Sequence, residues 1–362
     1  MASKLTRVGV ARLFQKHQSE RVIQESSVTS RHCGAGKRAG LNAVSNTRGV
    51  VAALALDQRG ILKKAIARQR GVSDVPDSSV VEFKELITAS LTKHVSAILL
   101  DPEFGLTATK LRNGKGLFLA YERSCYDAAP PRMPVLYESW SVRRLKQAGA
   151  DCIKVLLHYT PFDLPEINQQ KKIWVQRIGD ECRANDVPFV LEILGYGRST
   201  DEEKSVAYAR RKPQMVALSA EEFSKDDYSV DLLKIEVPVQ MKFIHGMSSF
   251  SGDSAYSREE AQQSFRNIDS VTSKPYVYLS AGVSTEEFVQ TLEFAIDSDS
   301  QFNGVLCGRA TWQEGIPIYA RHGAKALLEW LNTHGVEKVL RINKVLDRAR
   351  PWYEKQQIPI QA

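Results

Sequence analysis

The chain has 362 residues, of which 43% are hydrophobic and 25% are charged, as in ordinary globular proteins. Its net charge of +7 suggests a polyanion partner, but residues 1–48 hold nine Lys/Arg and two Asp/Glu, which accounts for the whole excess. The remainder is neutral, so we expect no nucleic-acid partner. Because no stretch approaches the roughly 18 consecutive apolar residues that span a bilayer, we expect no membrane contact either.

Residues 1–48 differ in composition from the rest of the chain. They are rich in Arg, Lys and Ser and poor in acids, which predicts a basic low-order extension ahead of a catalytic domain at residues 49–362. A chain starting near Thr47 is then expected to fold. An organelle transit peptide or a start codon assigned too far upstream fits the same composition. The five scattered cysteines, with no CxxC pair, favour a reducing compartment and a cytoplasmic location.

From residue 49 onward, apolar strand-like runs alternate with helical patterns. The predicted strands are Val50–Asp57, Val95–Asp101, Met133–Ser139, Cys152–Tyr159, Pro188–Leu194, Leu232–Val239, Tyr276–Gly282 and Asn303–Arg309. The predicted helices are Phe83–Thr92, Val142–Gly149, Ile167–Asn185, Arg258–Ile268, Glu286–Ile296 and Tyr319–Leu331, followed by an extra C-terminal helical segment, Val336–Gln356. Ser219, Ser257 and Ser284, each followed three residues later by Glu, predict helix N-termini.

Eight such strand–helix units predict an α/β fold, a closed (β/α)8 TIM barrel. The alternative is a doubly wound open sheet. That fold usually carries a glycine-rich turn after its first strand, and the chain has Asp57-Gln58-Arg59-Gly60 there instead.

A lysine lies in the middle of the sixth predicted strand. Strand alternation places Lys234 and Glu236 on one face, with Ile235 and Val237 on the other. Burial lowers the pKa of a lysine and makes its amine a nucleophile at neutral pH. A structural salt bridge to a nearby carboxylate is the simpler interpretation of Lys234 taken alone.

Polar residues end most of the other strands, where barrel active sites form. They include Asp57, Gln58 and Arg59 after strand one, Asp101 and Glu103 after strand two, Lys154 in strand four and Glu192 in strand five. Two lysines and several carboxylates in one barrel mouth favour a catalytic function over a scaffold.

The last two strands predict a phosphate site. Ser280, Gly282 and Gly308 are small enough for a ligand to approach the backbone, and Arg309 adds a charge-assisted contact. The loops after strands seven and eight commonly bind phosphate in such barrels. The alternative is that these glycines only end the strands.

Metal-dependent chemistry is not indicated. The seven histidines lack ligand spacing such as HxxxH, and no GxSxG motif is present. We therefore expect neither a metal nor a cofactor. An amine nucleophile, carboxylates and a phosphate site together indicate Schiff-base chemistry on a phosphosugar, in which an imine draws electrons from an adjacent C–C bond.

The sequence resembles the class I tagatose-1,6-bisphosphate aldolases from about residue 49 to about 350. The similar stretches, in order, are ALALDQRG (53–60), LLDPEFGL (99–106), GAD (149–151) with Lys154, FVLEIL (189–194), KIEVPV (234–239), YLSAGV (278–283) and FNGVLCGRATW (302–312).

This resemblance implies a barrel that cleaves tagatose 1,6-bisphosphate to glycerone phosphate and glyceraldehyde 3-phosphate without a metal. It implies that Lys234 forms the Schiff base, that Glu192 is the acid/base, and that Asp57 and Lys154 line the site. It places phosphate contacts at Gln58, Arg59, Ser280 and Arg309.

Several alternatives stay open. Segment Gly195–Tyr228 matches this family poorly at Thr200–Lys204, so another ketose substrate, such as sulfofructose phosphate, is an alternative, as is a phosphosugar-binding regulator. Tagatose and fructose bisphosphates differ only at the C4 hydroxyl, and we predict cleavage of both. The sequence allows a homo-oligomer without specifying one.

Overall fold

The computed structural model describes residues 34–123, 131–197, 200–247, 249–250 and 252–355. Eight parallel strands close into a barrel in sequence order, and the first pairs with the last through Ala53 and Leu306. They are β1 (Val51–Ala55), β2 (Ala97–Leu100), β3 (Gly116–Ala120), β4 (Cys152–His158), β5 (Phe189–Leu194), β6 (Leu232–Ile235), β7 (Tyr276–Tyr278) and β8 (Gly304–Cys307). The predicted (β/α)8 TIM barrel is confirmed.

Helices surround this barrel and bury their apolar faces against the strands. In the described residues they are α1 (Ala35–Ala43), α2 (Gly60–Arg70), α3 (Asp77–Leu91), α4 (Val142–Gln147), α5 (Pro165–Ala184), α6 (Thr200–Glu203), α7 (Val206–Phe223), α8 (Arg258–Val271), α9 (Thr285–Asp297), α10 (Arg309–Trp312), α11 (Gly315–Trp330) and α12 (Val336–Leu346). The predicted extra C-terminal helix is present as α12, which ends at Leu346, and a short 3₁₀ turn, Trp352–Glu354, follows it. Gln356, the predicted end of this segment, lies outside the described residues. Within the described residues, no helix has the length and apolar character needed to cross a membrane.

The position predicted for the third strand is wrong. β3 runs over Gly116–Ala120, and residues 133–139 contribute only an isolated antiparallel bridge between Leu136 and Glu122. The expected alternation fails here because a short 3₁₀ turn, Ala108–Leu111, joins β2 to β3 in place of a helix. As a result, the residue that follows the third strand in the barrel mouth is Glu122.

Two of the three predicted helix starts are confirmed. Ser257 and Ser284 each accept the backbone N–H three residues on, and the glutamate at that position accepts the serine N–H in return. Ser219 instead lies inside α7, and its hydroxyl donates to Met215 O at 2.6 Å. That helix begins after Ser205, whose hydroxyl accepts from Tyr208 N.

The floor of the barrel, at the N-terminal ends of its strands, is covered partly by α1. Leu41 and Val44 are completely buried against side chains of the barrel interior. Lys37 Nζ lies 2.6 Å from Asp231 Oδ2, just before β6, and Gly36 N donates to Asp186 just before β5. The low-order extension predicted at residues 1–48 and its boundary stay predictions. Residues 1–33 lie outside the described residues, and α1, which precedes the boundary, packs on the barrel.

This packing separates two N-terminal truncations. A chain starting at Gly34 keeps α1, whereas a chain starting at Thr47 loses the burial of Leu41 and Val44. Burying each such side chain stabilises a protein by roughly 1.5–3 kcal/mol, so the melting temperature of the shorter chain should be lower by about 5–10 °C. Thermal unfolding of the two chains measures this difference. Equal midpoints for the two truncations would show that α1 adds nothing to stability.

Candidate active site

A buried ammonium group lies at the centre of the barrel mouth. Lys154, on β4, donates hydrogen bonds to Asp57 Oδ2 at 2.7 Å and to Glu122 Oε1 at 2.9 Å. Its Nζ also lies 2.8 Å from Glu192 Oε2. These four residues, which we call the Lys154 cluster, come from the ends of β1 and β3 and from within β4 and β5. The structure thus brings together three of the predicted catalytic residues and one that was not predicted.

Lys234 joins this cluster through Glu192. The two residues are register partners on β6 and β5, and Lys234 Nζ lies 2.9 Å from Glu192 Oε1. One carboxylate therefore bridges two lysines, with one oxygen facing each. Lys234 is 3% exposed and lines a cavity in the barrel mouth. Since 2.9 Å is within proton-transfer reach, Glu192 can exchange a proton with a group bound at Lys234.

The lysines set the ionisation of the carboxylates. Burial alone would raise the pKa of Asp57, but the charges of Lys154 and Lys234 outweigh burial and hold it well below the usual range. At Glu192, burial likewise acts to raise the pKa, and the charges of Lys154 and Lys234 outweigh it, so the pKa is lowered. Both side chains are therefore carboxylates at neutral pH, ready to accept a proton rather than donate one.

The cavity beside these residues has a volume of about 220 Å³. Lys234 and Glu192 line it together with two further groups of residues. The first group comes from the ends of β1, β7 and β8 and contains Gln58, Ser280, Gly282, Gly308 and Arg309, while the second contains Arg132, His158, Glu203 and Glu236.

The glycines of the first group lie close to other parts of the protein. Ala281 and Gly282 have φ values of +49° and +81°, in the left-handed region that favours glycine. A Cβ on Gly282 would lie 2.8 Å from Arg309 Cζ, and one on Gly308 would lie 2.8 Å from Ala55 O. Arg309 can lie against this loop only because residue 282 has no side chain. Gly282 and Gly308 are therefore needed for this close packing as well as ending strands. Phosphate binding by the first group stays a prediction.

Arg59 has a different environment from the one predicted. It is buried, and its Nη1 donates to Glu122 O at 2.7 Å and to Tyr137 Oη at 2.8 Å. Its guanidinium also lies over the Tyr137 ring, 5.4 Å from the centroid. Of the residues described, Gln58 lines the cavity and Arg59 does not. Arg59 thus holds the end of β3 in place.

Asp101, expected in the barrel mouth, instead forms a buried ion pair with Lys84 of α3. Lys84 also donates to Leu56 O at 2.8 Å, and Asp101 accepts from Phe104 N at 2.8 Å. Burial lowers the pKa of Lys84, and the Asp101 charge only partly offsets that effect. This pair joins a helix to the ends of two strands.

Sequence reasoning missed several residues of the site, among them Glu122, Arg132 and Glu203. Glu122 follows the apolar run Leu117–Tyr121 directly, just as Asp57 follows β1, so the signal was present once β3 was correctly placed. Arg132 lies in the loop after β3 and lines the cavity. No sequence pattern marks Arg132.

The described residues contain no group of three His, Cys, Asp or Glu side chains suited to hold a metal ion. Independence from metals and cofactors stays a prediction.

Comparison with known proteins gives the family. The model of the DeoC/LacD family aldolases matches residues 51–314. The chain is 46% identical over 328 residues to tagatose 1,6-diphosphate aldolase 2 of Enterococcus faecalis, covering 90% of this chain and 98% of that protein. It is 45% identical over 323 residues to tagatose 1,6-diphosphate aldolase of Listeria monocytogenes, covering 88% and 94% of the two chains.

A solved structure is similar in fold. Fructose-bisphosphate aldolase from Plasmodium falciparum aligns with a TM-score of 0.62 at 13% identity, covering 86% of this chain and 94% of that one. At this identity the likeness concerns the barrel alone. The family match spans the whole barrel, from the first residue of β1 to beyond the end of β8, and it includes every residue of the Lys154 cluster. The chain belongs to the DeoC/LacD family of aldolases.

Proposed function

We propose that this chain is a Schiff-base (class I) aldolase that cleaves D-tagatose 1,6-bisphosphate to glycerone phosphate and D-glyceraldehyde 3-phosphate. The names of relatives that are 45–46% identical over about nine-tenths of the chain support the substrate. The observation that carries the chemistry is the placement of Lys234 Nζ 2.9 Å from Glu192 Oε1 on a cavity wall. An amine with an adjacent carboxylate is the arrangement that imine formation needs.

The proposed reaction begins with attack of Lys234 Nζ on the C2 carbonyl carbon. The C2 oxygen takes up protons and leaves as water, and a protonated imine remains. A carboxylate then removes the proton of the C4 hydroxyl, and the C3–C4 bond breaks. Its electrons move into the imine to give an enamine, and glyceraldehyde 3-phosphate leaves. Protonation of the enamine at C3 and hydrolysis release glycerone phosphate and regenerate the amine.

Glu192 is proposed as the group that moves these protons, because it faces Lys234. Its other oxygen faces Lys154, which Asp57 holds at 2.7 Å from the opposite side. Lys154, held by Asp57, therefore fixes the orientation of Glu192 and supplies the compensating positive charge when Glu192 is ionised.

The two phosphates of the substrate need two cationic contacts. We propose Arg309, with Gln58, Ser280, Gly282 and Gly308, for one of them. Arg59 was the other predicted cation, but it is held by Glu122 and Tyr137.

Arg132 takes its place in this proposal. It lines the same cavity, pairs with Glu203 at 3.6 Å, and leaves its buried Nε without a hydrogen-bond partner among the described residues.

Substitution of Arg309 by Ala is expected to raise KM about tenfold to a hundredfold, with a smaller fall in kcat. A hydrogen bond to a charged group is worth about 1.5–3 kcal/mol, and a phosphate contact persists from ground state to transition state. Steady-state kinetics measure both constants. Arg341→Ala, which removes an exposed arginine of α12, is the matched control and should leave KM unchanged. An unchanged KM with a collapsed kcat for Arg309→Ala would place Arg309 at the reacting carbons instead.

We also propose that fructose 1,6-bisphosphate is cleaved. The two sugars present the same phosphates and the same C2 carbonyl, and they differ only at C4. Phosphate contacts therefore cannot separate them.

Turnover tests the proposed function and its alternatives together. Purified protein is assayed with tagatose, fructose and sulfofructose phosphates, with and without excess chelator, and binding is measured in parallel. We expect cleavage of both bisphosphates that survives chelation. Binding without cleavage would indicate a phosphosugar-binding regulator, and chelator-sensitive cleavage that zinc restores would contradict the Schiff-base mechanism.

We further propose a cytoplasmic location and a small phosphosugar as the partner, with no nucleic-acid partner. The buried free thiols of Cys152, Cys182 and Cys307 support a reducing compartment. A homo-oligomer stays a prediction that light scattering can test.

A further inference from the structure

We propose that Glu122 is a positioning residue for catalysis: its charge holds Lys154 in place and leaves Glu192 able to accept and return protons. This inference rests on the proposed function, because it assumes that Glu192 transfers protons at Lys234. Glu122 itself does not line the cavity. Neither the resemblance nor the pattern of predicted strands had placed Glu122 in the site.

The carboxylate of Glu122 is fixed from several sides. It is 1% exposed, and its Oε1 accepts from Lys154 Nζ at 2.9 Å and lies 3.5 Å from Arg59 Nη2. Its backbone carbonyl accepts from Arg59 Nη1 at 2.7 Å, and its backbone pairs with Leu136 in an antiparallel bridge. Side chain and main chain are both anchored, so Glu122 Oε1 presents a rigid acceptor to Lys154.

The second oxygen of Glu122 indicates a role beyond packing. Oε2 is buried and has no hydrogen-bond partner among the described residues. A buried oxygen without a partner lowers stability, and an ionised one does so more than a neutral one. A residue needed only to accept from Lys154 and Arg59 could be a glutamine. The carboxylate at this position therefore supplies charge that the site uses.

That charge matters because Glu192 must change its protonation state during the reaction. While Glu192 is a carboxylate, three carboxylates surround Lys154. When Glu192 takes up a proton, Asp57 and Glu122 still compensate the ammonium group, so Lys154 keeps its place. Without the charge of Glu122, the field of Lys154 would act more strongly on Glu192 and make it a weaker base.

Few other charged groups face these carboxylates. Lys154 and Arg59 face Glu122 directly. Charged or titratable groups that act on Glu192 are Lys154, Lys234 and Asp57, and Glu192 in turn acts on His158 of β4. His158 is neutral above about pH 4, because burial and then the charge of Arg132 lower its pKa to about 4. Among the described residues, the charged groups that pair with Glu122 or act on Glu192 at neutral pH are therefore Lys154, Asp57, Lys234 and Arg59.

Glu122→Gln tests the proposal because it keeps the shape and the Oε1 acceptor, removes the charge and puts an amide nitrogen at the position of Oε2. We expect kcat to fall roughly tenfold or more with KM nearly unchanged, since a base made weaker is less effective in proton transfer. The acidic limb of the kcat–pH profile should move to lower pH. Borohydride with glycerone phosphate should still trap an adduct on Lys234.

Glu181→Gln is the matched control. Glu181 lies on α5 and accepts from Tyr121 Oη at 3.3 Å and from Val142 N at 2.8 Å, so it is a carboxylate that contacts the residue before Glu122, but it lies outside the Lys154 cluster and the cavity. It should leave both kcat and the pH profile unchanged. An equal loss in Glu181→Gln, an unmoved acidic limb in Glu122→Gln, or a KM that rises as far as kcat falls would overturn the proposal.

Two further measurements keep the outcomes distinct. If Glu122→Gln does not fold, Glu122→Asp keeps the charge but withdraws it from Lys154 by one methylene group, and it should lower kcat with a smaller displacement of the acidic limb. A fall in kcat with an unmoved acidic limb, or an acidic limb moved to higher pH, in Glu122→Asp would contradict the role. Absence of any borohydride adduct on Lys234 in the wild-type protein would instead count against the Schiff-base function itself.

Discussion

Substitution of Lys234 by Met is expected to abolish cleavage of tagatose 1,6-bisphosphate. The imine route requires an amine at this position, and loss of a covalent nucleophile lowers kcat by up to about 10⁶-fold in well-studied enzymes. Lys154 cannot replace it, because its Nζ is completely buried and already contacts Asp57, Glu122 and Glu192. Met fills a similar volume, so the protein should stay folded.

Chemical trapping assigns the nucleophile directly. Borohydride added with glycerone phosphate should reduce the imine to a stable secondary amine, and peptide mass mapping should locate the added mass on Lys234. An adduct on Lys154 would show that the roles of the two lysines are reversed. Lys37→Met is the matched control, since it also removes a buried lysine from an ion pair, with Asp231 on the barrel floor. It should lower stability and leave trapping intact.

Glu192→Gln is expected to lower kcat by about 10²–10⁴-fold, the usual contribution of a positioned general acid/base. Substrate binding should change little, because Arg309 and the other residues proposed for phosphate binding are unchanged. Borohydride trapping should become slower without moving from Lys234. Glu314→Gln, which changes an exposed glutamate paired with Lys338, is the control and should match the wild type. A kcat within threefold of the wild type would assign proton transfer to another residue.

The same variant tests the ionisation of Glu192. Because its pKa lies below the ordinary value of 4.5, the carboxylate stabilises the fold above about pH 4.5, and this contribution disappears as the pH falls through the lowered pKa. The melting temperatures of Glu192→Gln and wild type should therefore differ most near neutral pH and approach each other in acid. A difference that grows on acidification would mean that the pKa is raised instead.

The barrel could be predicted because its signal is local and repeated. Seven of the eight strands were predicted from apolar runs with helices or loops between them, and parallel pairing makes each strand apolar on both faces. The Lys234–Glu192 contact also follows from the order of the strands, since β5 and β6 are neighbours. Register alone brings these two residues side by side.

The features that the sequence could not predict depend on contacts between distant residues. Glu122 was missed because the β2–β3 connection lacks a helix and so breaks the repeat. Arg59 and Asp101 stand at strand ends like the residues proposed as catalytic, yet they pair with Glu122 and Lys84 and do not line the cavity. The periodicity of one segment does not show which of its polar side chains pairs with a buried residue in a distant part of the chain.

Both ends of the described chain are fixed to the face of the barrel opposite the cavity. α1 contacts residues that precede β5 and β6, while Trp352 N donates to Gly49 O just before β1 and Asn303 Nδ2 donates to Pro351 O just before β8. A chain trimmed to residues 34–355 and attached through either end would therefore turn its barrel floor to a solid support and leave its mouth open to solution. An immobilised layer of this aldolase should keep its access to dissolved sugar, a practical basis for a reusable reactor.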